Sequence, residues 1–215
     1  MAEAMKISPE GRVTLRNVGW ETYEMLVEED PDRSAPRFFY DRGEMEIMSP
    51  SFEHEQIAEI TTSLVNELAM ELEMDVVSAR STTFKREDIL RGFEPDASFY
   101  FPPNAAKVRG KRRLSLDEGD PPPDLVIEVD ITNPSSSKLP IYARLKVPEV
   151  WRHDGEKMEI LALRDENYAK VPESRLLASA KVSSESLTRL VGEGMESERP
   201  VWTRKARGWA RGLRA

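Results

Sequence analysis

The sequence predicts an α/β fold built on a mixed sheet flanked by helices, with an N-terminal β-hairpin and one long early helix. Three observations carry that expectation. Short alternating runs meet at glycine turns, one amphipathic stretch is far longer than the others, and the run "LVIEV" at 125–129 lacks the polar alternation of a half-exposed strand. No glycine-rich phosphate fingerprint is present, which argues against a doubly wound nucleotide-binding fold.

Along the chain, "WETYEMLVEEDPD" reads as a short helix closed by Pro31. "RFFYDRGEMEIMSP" places two alternating runs around "DRGE", a hairpin turning at Gly43. Ile57, Ile60, Leu64, Leu68 and Leu72 then recur at helical spacing. They predict an amphipathic helix of about six turns, with Ser49 or Ser51 as cap and Pro50 near its first turn. A short apolar segment at Val76 and Val77, the stretch "STTFKRED", and a strand opening at Asp96 in "EPDASFYF" follow. Residues 102–123 read as a long polar loop rich in proline and glycine. After the buried strand come a short helix in the second half of "SSSKLPIYARLKVPEV", a hairpin turning at Asp154-Gly155, and a helix near 184–193. The pattern gives one domain over 1–198 and a basic tail over 199–215, with no internal repeat.

Composition narrows the chemistry. The 215 residues hold no cysteine and two histidines, His54 and His153, which excludes disulfides, thiol nucleophiles and a multi-histidine metal site within one chain. Carboxylates, lysines and hydroxyls are left to act. No apolar run approaches the roughly 20 residues of a membrane span, and the opening "MAEAMKISPEGRV" lacks a signal-peptide core, so a cytoplasmic protein is expected. A net charge of −8 speaks against indiscriminate polyanion binding but permits a basic groove on an acidic body.

The question raised by "LVIEV" is why Glu128 interrupts it. On a strand, Asp124, Glu128 and Asp130 share one side while Leu125, Ile127 and Val129 share the other. Buried carboxylates need cations, hydrogen bonds or raised pKa values, and a magnesium ion held by carboxylate oxygens answers that need. Asp96 supplies a second carboxylate if the two strands are neighbours; beside prolines, Asp96 and Asp124 also read as ordinary strand-edge acids. His54 and Glu53 fall on the inward end of the long helix, where His54 reads as a packing residue or a participant, and Glu55 falls on the far side. Glu44 and Glu46 read as solvated. A cation positioned near the metal is also required, and Lys138 and Lys85 are the candidates.

In order, "GEMEIMSPSFEHE", "STTFKRED", "RGFEPDASFYF" and "PPPDLVIEVDITNPSSSKLPIYARLKVPEVWRHDG" resemble the Uma-two family of restriction-endonuclease-like proteins, within the superfamily bearing the PD-(D/E)xK signature. The resemblance spans roughly 20–170. It implies a restriction-endonuclease-like fold with Asp96, Glu128 and the Val129 carbonyl as ligands of Mg2+, for which Mn2+ substitutes. Where the usual signature has its lysine, this chain has Asp130; the resemblance implies Lys138 as the migrated substitute, with Lys85 second. DNA is the implied partner, and a homodimer would let two sites address two strands.

The function expected is a metal-dependent endonuclease, with an inactive DNA-binding or regulatory module on the same fold as the alternative. A carboxylate-pair sugar hydrolase is disfavoured by the 7% aromatic content. In the tail, which carries +6, Arg204, Lys205, Arg207 and Arg211 beside Trp202 and Trp209 read either as a solvated terminus or as phosphate contacts. Lys107, Arg109, Lys111, Arg112 and Arg113 make the loop at 102–123 a candidate DNA-contacting element.

Overall fold

The computed structural model describes residues 11–30, 33, 35–131 and 138–214. Two sheets form where one mixed sheet is expected. The first is antiparallel, in the order β1 (Gly11–Arg16), β3 (Glu44–Ser49), β2 (Arg37–Asp41), β6 (Arg91–Phe93), β5 (Phe84–Arg86). The second runs β11 (Asn167–Val171), β10 (Met158–Arg164), β9 (Glu149–His153), β8 (Leu125–Val129), β7 (Ala97–Tyr100), β4 (Val77–Ser78). It is mixed because β8 and β9 pair in parallel while its other pairs are antiparallel.

Strand alternation divides the molecule into layers. Leu125, Ile127 and Val129 of β8 face one core, with Ile57, Leu64, Val65 and Leu68 of α2 (Phe52–Glu71) and Leu187 and Leu190 of α5 (Ser184–Glu196). Each such leucine or isoleucine, fully withdrawn from water, contributes about 2 kcal/mol. Val126 faces the opposite core, where Phe39, Phe84 and Phe93 of the first sheet meet Ile141 and Tyr142 of α4 (Leu139–Arg144). The far side of the first sheet is closed by Trp20, Tyr23 and Val27 of α1 (Trp20–Glu29). Pro31, expected to end α1, lies outside the described residues.

Both predicted hairpins form, with Gly43 and Gly155 each at φ +97°, a left-handed turn geometry that glycine adopts without steric cost. Ser51 caps α2, its hydroxyl accepting from the His54 backbone N–H at 3.2 Å. The loop at 102–123 contains a short helix, α3 (Asn104–Val108).

The segment after 198 differs most from expectation. Arg199–Gly212 is a helix, α6, whose Trp202, Ala206 and Ala210 are buried in the core shared with α2. Its arginines meet acids of α2 at a constant offset of 140 residues, Arg199 with Glu59, Arg207 with Glu67 and Arg211 with Glu71, so the helices run parallel. The basic charge of this segment therefore faces an acidic helix of the same chain, not open solvent alone.

Candidate active site

Four elements converge where the two sheets meet. Asp96 enters from the residue before β7, Glu128 from the middle of β8, Arg37 from the first position of β2, and His54 from the first turn of α2. The start of α4 adds Lys138 and Tyr142, which stand four residues apart and so share a helical face. All are essentially withdrawn from solvent; Glu128 is 0% and Lys138 1% exposed.

The contacts among them account for both carboxylates. Asp96 Oδ1 accepts from the Arg37 guanidinium and lies 2.7 Å from His54 Nε2, which Arg37 also approaches at 3.2 Å. Asp96 Oδ2 accepts from the backbone N–H of Val129 at 2.6 Å. The carbonyl of Val129 shares that strand edge, since a residue's N–H and C=O face the same neighbour in an antiparallel ladder. Glu128 Oε2 accepts from Lys138 Nζ at 2.8 Å, and Oε1 from the Tyr142 hydroxyl. The lysine ammonium also lies 3.9 Å from the centre of the Phe39 ring, a cation–π contact. Arg37 extends outward as well, donating to Glu55 at 2.8 Å.

Electrostatics separate the two acids. Burial works against ionising Asp96, but the charges of Arg37 and His54 outweigh it and hold its carboxyl well below the usual range. Burial pushes Glu128 upward; Lys138 opposes this, while the like charges of Asp96 and Asp130 reinforce it. Lys138 is burdened by burial too, yet Glu128, Asp96 and Asp130 hold its ammonium above its ordinary value. Divergent carboxylates of this kind mark sites where two acids take different roles.

The other candidate residues fall in different places. Asp130 is buried and close enough to bias Glu128, Lys138 and Tyr142. Asp124 is turned away, accepting from the Phe101 N–H and the Asn104 amide, both at 2.8 Å, and so fastens the start of α3. Lys85 is not part of the cluster. On β5, Phe84 points into the core, which sends Lys85 to the opposite face, where it pairs with Glu24 at 2.6 Å and Glu28 at 3.0 Å on α1. Glu53 is exposed where an inward position is expected, and Glu55, expected on the far side, reaches Arg37. Glu44 pairs with Arg16, while Glu46 is drawn into a part-buried pair with Arg12. Arg37 and Tyr142 are the members that sequence reasoning misses. A charge opening the apolar run "RFFY", and a tyrosine one turn after Lys138, are the signals that point to them.

Among the described residues, no group of three or more His, Asp or Glu side chains is arranged to hold a metal ion by itself. Two carboxylates and a carbonyl nonetheless suit magnesium, which is commonly held by one or two carboxylates with water and substrate phosphate filling the rest. The all-oxygen donor set fits the ion.

A family model described as "Uma2: Putative restriction endonuclease" matches residues 20–189. The chain belongs to the Uma2 family. A solved structure from Anabaena variabilis, described as "a putative nuclease belonging to DUF820", matches this Uma2 chain with a TM-score of 0.57 at 14% identity, covering 81% of it and 99% of the other chain. At that identity the likeness establishes the fold, a mixed α/β architecture. No curated protein matches. No helix among the described residues of the Uma2 chain is long and apolar enough to cross a membrane.

Proposed function

We propose that this Uma2 chain is a magnesium-dependent endonuclease that hydrolyses DNA phosphodiester bonds, with manganese able to substitute. The observation that carries the reading is the buried pair of acids, Asp96 and Glu128, with a lysine ammonium hydrogen-bonded to the second. Asp96, Glu128 and the Val129 carbonyl would hold the ion, with substrate oxygens and water as the remaining ligands. When bound, the metal polarises the phosphoryl group and lowers the pKa of water. Lys138, steadied by Glu128 and the Phe39 ring, orients the attacking water and neutralises charge developing on the phosphoryl oxygens. His54 and the Val129 N–H orient Asp96, and Tyr142 orients Glu128. Two copies of the chain would bring two such sites to the two strands of a duplex.

The test is nicking of supercoiled plasmid in magnesium, manganese and excess chelator by the wild type and by Asp96→Asn and Glu128→Gln, with folding checked by thermal melting. Metal-dependent nicking lost in both variants is expected. Nicking that persists in chelator, or in both folded variants, defeats the assignment.

One observation favours a second reading. The carboxylate oxygens of Asp96 and Glu128 all accept from protein donors, and Arg37 and Lys138 supply the positive charge a metal would bring. A site balanced in this way suits a DNA-binding or regulatory module without catalysis. Saturable DNA binding with no cleavage in either metal would select it.

A further inference from the structure

A cleft of about 700 Å³ has Arg37 in its lining. Arg37 thus both touches Asp96 and lines the cleft. One wall is a turn around residues 79–83. The N–H of Ala79 donates to the carbonyl of Ser98 on β7, and the Ser98 hydroxyl donates to the carbonyl of Arg80, each at 2.9 Å. The segment around 111–118 lines it as well. It is tied down by Asp120, which accepts from the Ser115 N–H at 2.9 Å, and by Asp117, which accepts from the Glu87 N–H at 3.2 Å. Leu114 and Leu116 pack against the adjoining core. The first segment is therefore fastened to β7, and the second to the turn after β5 and to the core.

Seven arginines and lysines line this cleft against four acids. Several bases are already committed: Arg33 to Glu94, Lys85 to Glu24 and Glu28, and Lys111 to Asp120. Arg80 and Arg112, one in each of these segments, are exposed and form no salt bridge among the described residues, and Arg113 reaches Glu28 only at 3.9 Å. Uncompensated guanidinium groups lining a cleft attract phosphates and stack on bases. A slot of this volume belongs to the size class of small-ligand sites, enough for about one or two nucleotides but not for a duplex.

The geometry points to a single-strand channel: the cleft between residues 79–83 and 111–118 takes an unpaired nucleic-acid strand, with Arg80 and Arg112 on its phosphates and Arg37 leading it to Asp96. The nucleic-acid identity of the ligand rests on the nuclease reading; the preference for a single strand rests on the size and the fastened walls of the slot.

The experiment is fluorescence anisotropy with a labelled oligothymidine of about twelve nucleotides and with a duplex of equal length, in chelator so that no cleavage occurs, over a range of salt. Arg80→Gln/Arg112→Gln is compared with wild type and with Arg164→Gln, an exposed position at the end of β10. Glutamine removes the charge at Arg80 and leaves the backbone, at φ +51°, no more strained than arginine does, because both carry a Cβ. The single strand binds more tightly than the duplex. The double variant loses about tenfold in affinity, and its salt slope shrinks by about 1.4, the value for two lost phosphate contacts on a single strand. Arg164→Gln changes neither. Equal or tighter duplex binding, or a double variant with unchanged affinity and slope, overturns the channel. Cleavage of plasmid by a double variant with full single-strand affinity overturns the channel and leaves the nuclease reading intact. Slot-dependent binding by a protein that never cleaves supports the channel and removes the nuclease reading.

Discussion

Replacing Lys138 with methionine tests the electrostatic logic of the site without reference to activity. The ammonium and the Glu128 carboxylate are 2.8 Å apart, with side chains 1% and 0% exposed, so neither has water to fall back on. Removing one partner of a buried pair leaves an uncompensated charge, at a cost of about 3–5 kcal/mol. Methionine conserves most of the volume, so the loss is electrostatic and not a cavity effect. With a urea m-value of about 2–3 kcal/mol/M, the midpoint of Lys138→Met falls by about 1–2.5 M. Removing both charges in Lys138→Met/Glu128→Gln recovers most of the loss, because no uncompensated charge is then left buried. The penalty of the single variant also depends on pH. With its cation gone, Glu128 has a folded pKa still further above its unfolded value of about 4.3. The folded state then holds its proton longer than the unfolded state, and stability falls as the pH rises through that interval. Below about pH 4 the carboxyl is neutral in both states and the penalty disappears. Urea titrations at several pH values, followed by circular dichroism, measure all three quantities. A Lys138→Met midpoint within experimental error of wild type at neutral pH would refute the reasoning, since Glu128 would then carry no charge beside Lys138.

Two further predictions concern the frame around the site. In α5, a methyl group on Gly194 would come within 2.6 Å of Ile60 Cγ2 and 2.9 Å of Trp202 Nε1, whereas one on Gly192 meets nothing within 4 Å. Gly194→Ala should therefore destabilise by about 1–3 kcal/mol, and Gly192→Ala should stabilise by up to about 1 kcal/mol; calorimetry of both separates crowding from helix propensity, and the opposite order would place α6 elsewhere. At Glu159, burial raises the carboxyl pKa, but hydrogen bonds from Lys170 and Arg152 outweigh it and leave the group below its ordinary value. Its contribution to stability is thus present above the unfolded pKa and lost as the pH falls through the folded one, so the stability gap between wild type and Glu159→Gln should close on acidification. A gap that widens in acid would reverse the assigned direction.

The parts of the fold legible in the sequence are those in which burial and local period coincide. The two hairpins, α2 and β8 have apolar residues at the spacing of their element and glycine or serine at their ends. The strand β1 was not legible because its six residues are almost wholly exposed, leaving no buried face to impose a pattern. β6 has three residues, too few to display a period. The helix α6 was obscured differently. Trp202, Ala206 and Ala210 lie at four-residue intervals, a helical stripe, but the six surrounding bases gave the segment the composition of a solvated tail. Their partners, Glu59, Glu67 and Glu71, lie on a helix 140 residues earlier, a distance no local pattern can span. Division into two sheets was hidden for the same reason, since strand pairing is a long-range choice.

The site itself was half legible, and the missing half is instructive. Glu128 stood out because an acid in an apolar strand costs stability, and Arg37 at the head of "RFFY" is the same kind of anomaly with opposite sign. A strand shows one such charge at a time, and only the fold shows that Arg37 meets Asp96 while Lys138 meets Glu128. Burial of an acid does not by itself argue for chemistry. Glu149 is equally hidden, yet it accepts from the Trp151 indole and the Ser174 hydroxyl at 2.7 Å and from the Arg175 N–H at 2.8 Å. Those donors fasten one loop to one strand, an arrangement that structure alone explains. Asp96 and Glu128 instead draw buried cations from separate elements onto two neighbouring acids. Apolar residues of similar volume would have filled that seam with equal or better stability. The difference between these two kinds of buried acid is the physical ground for locating function at the junction of the sheets.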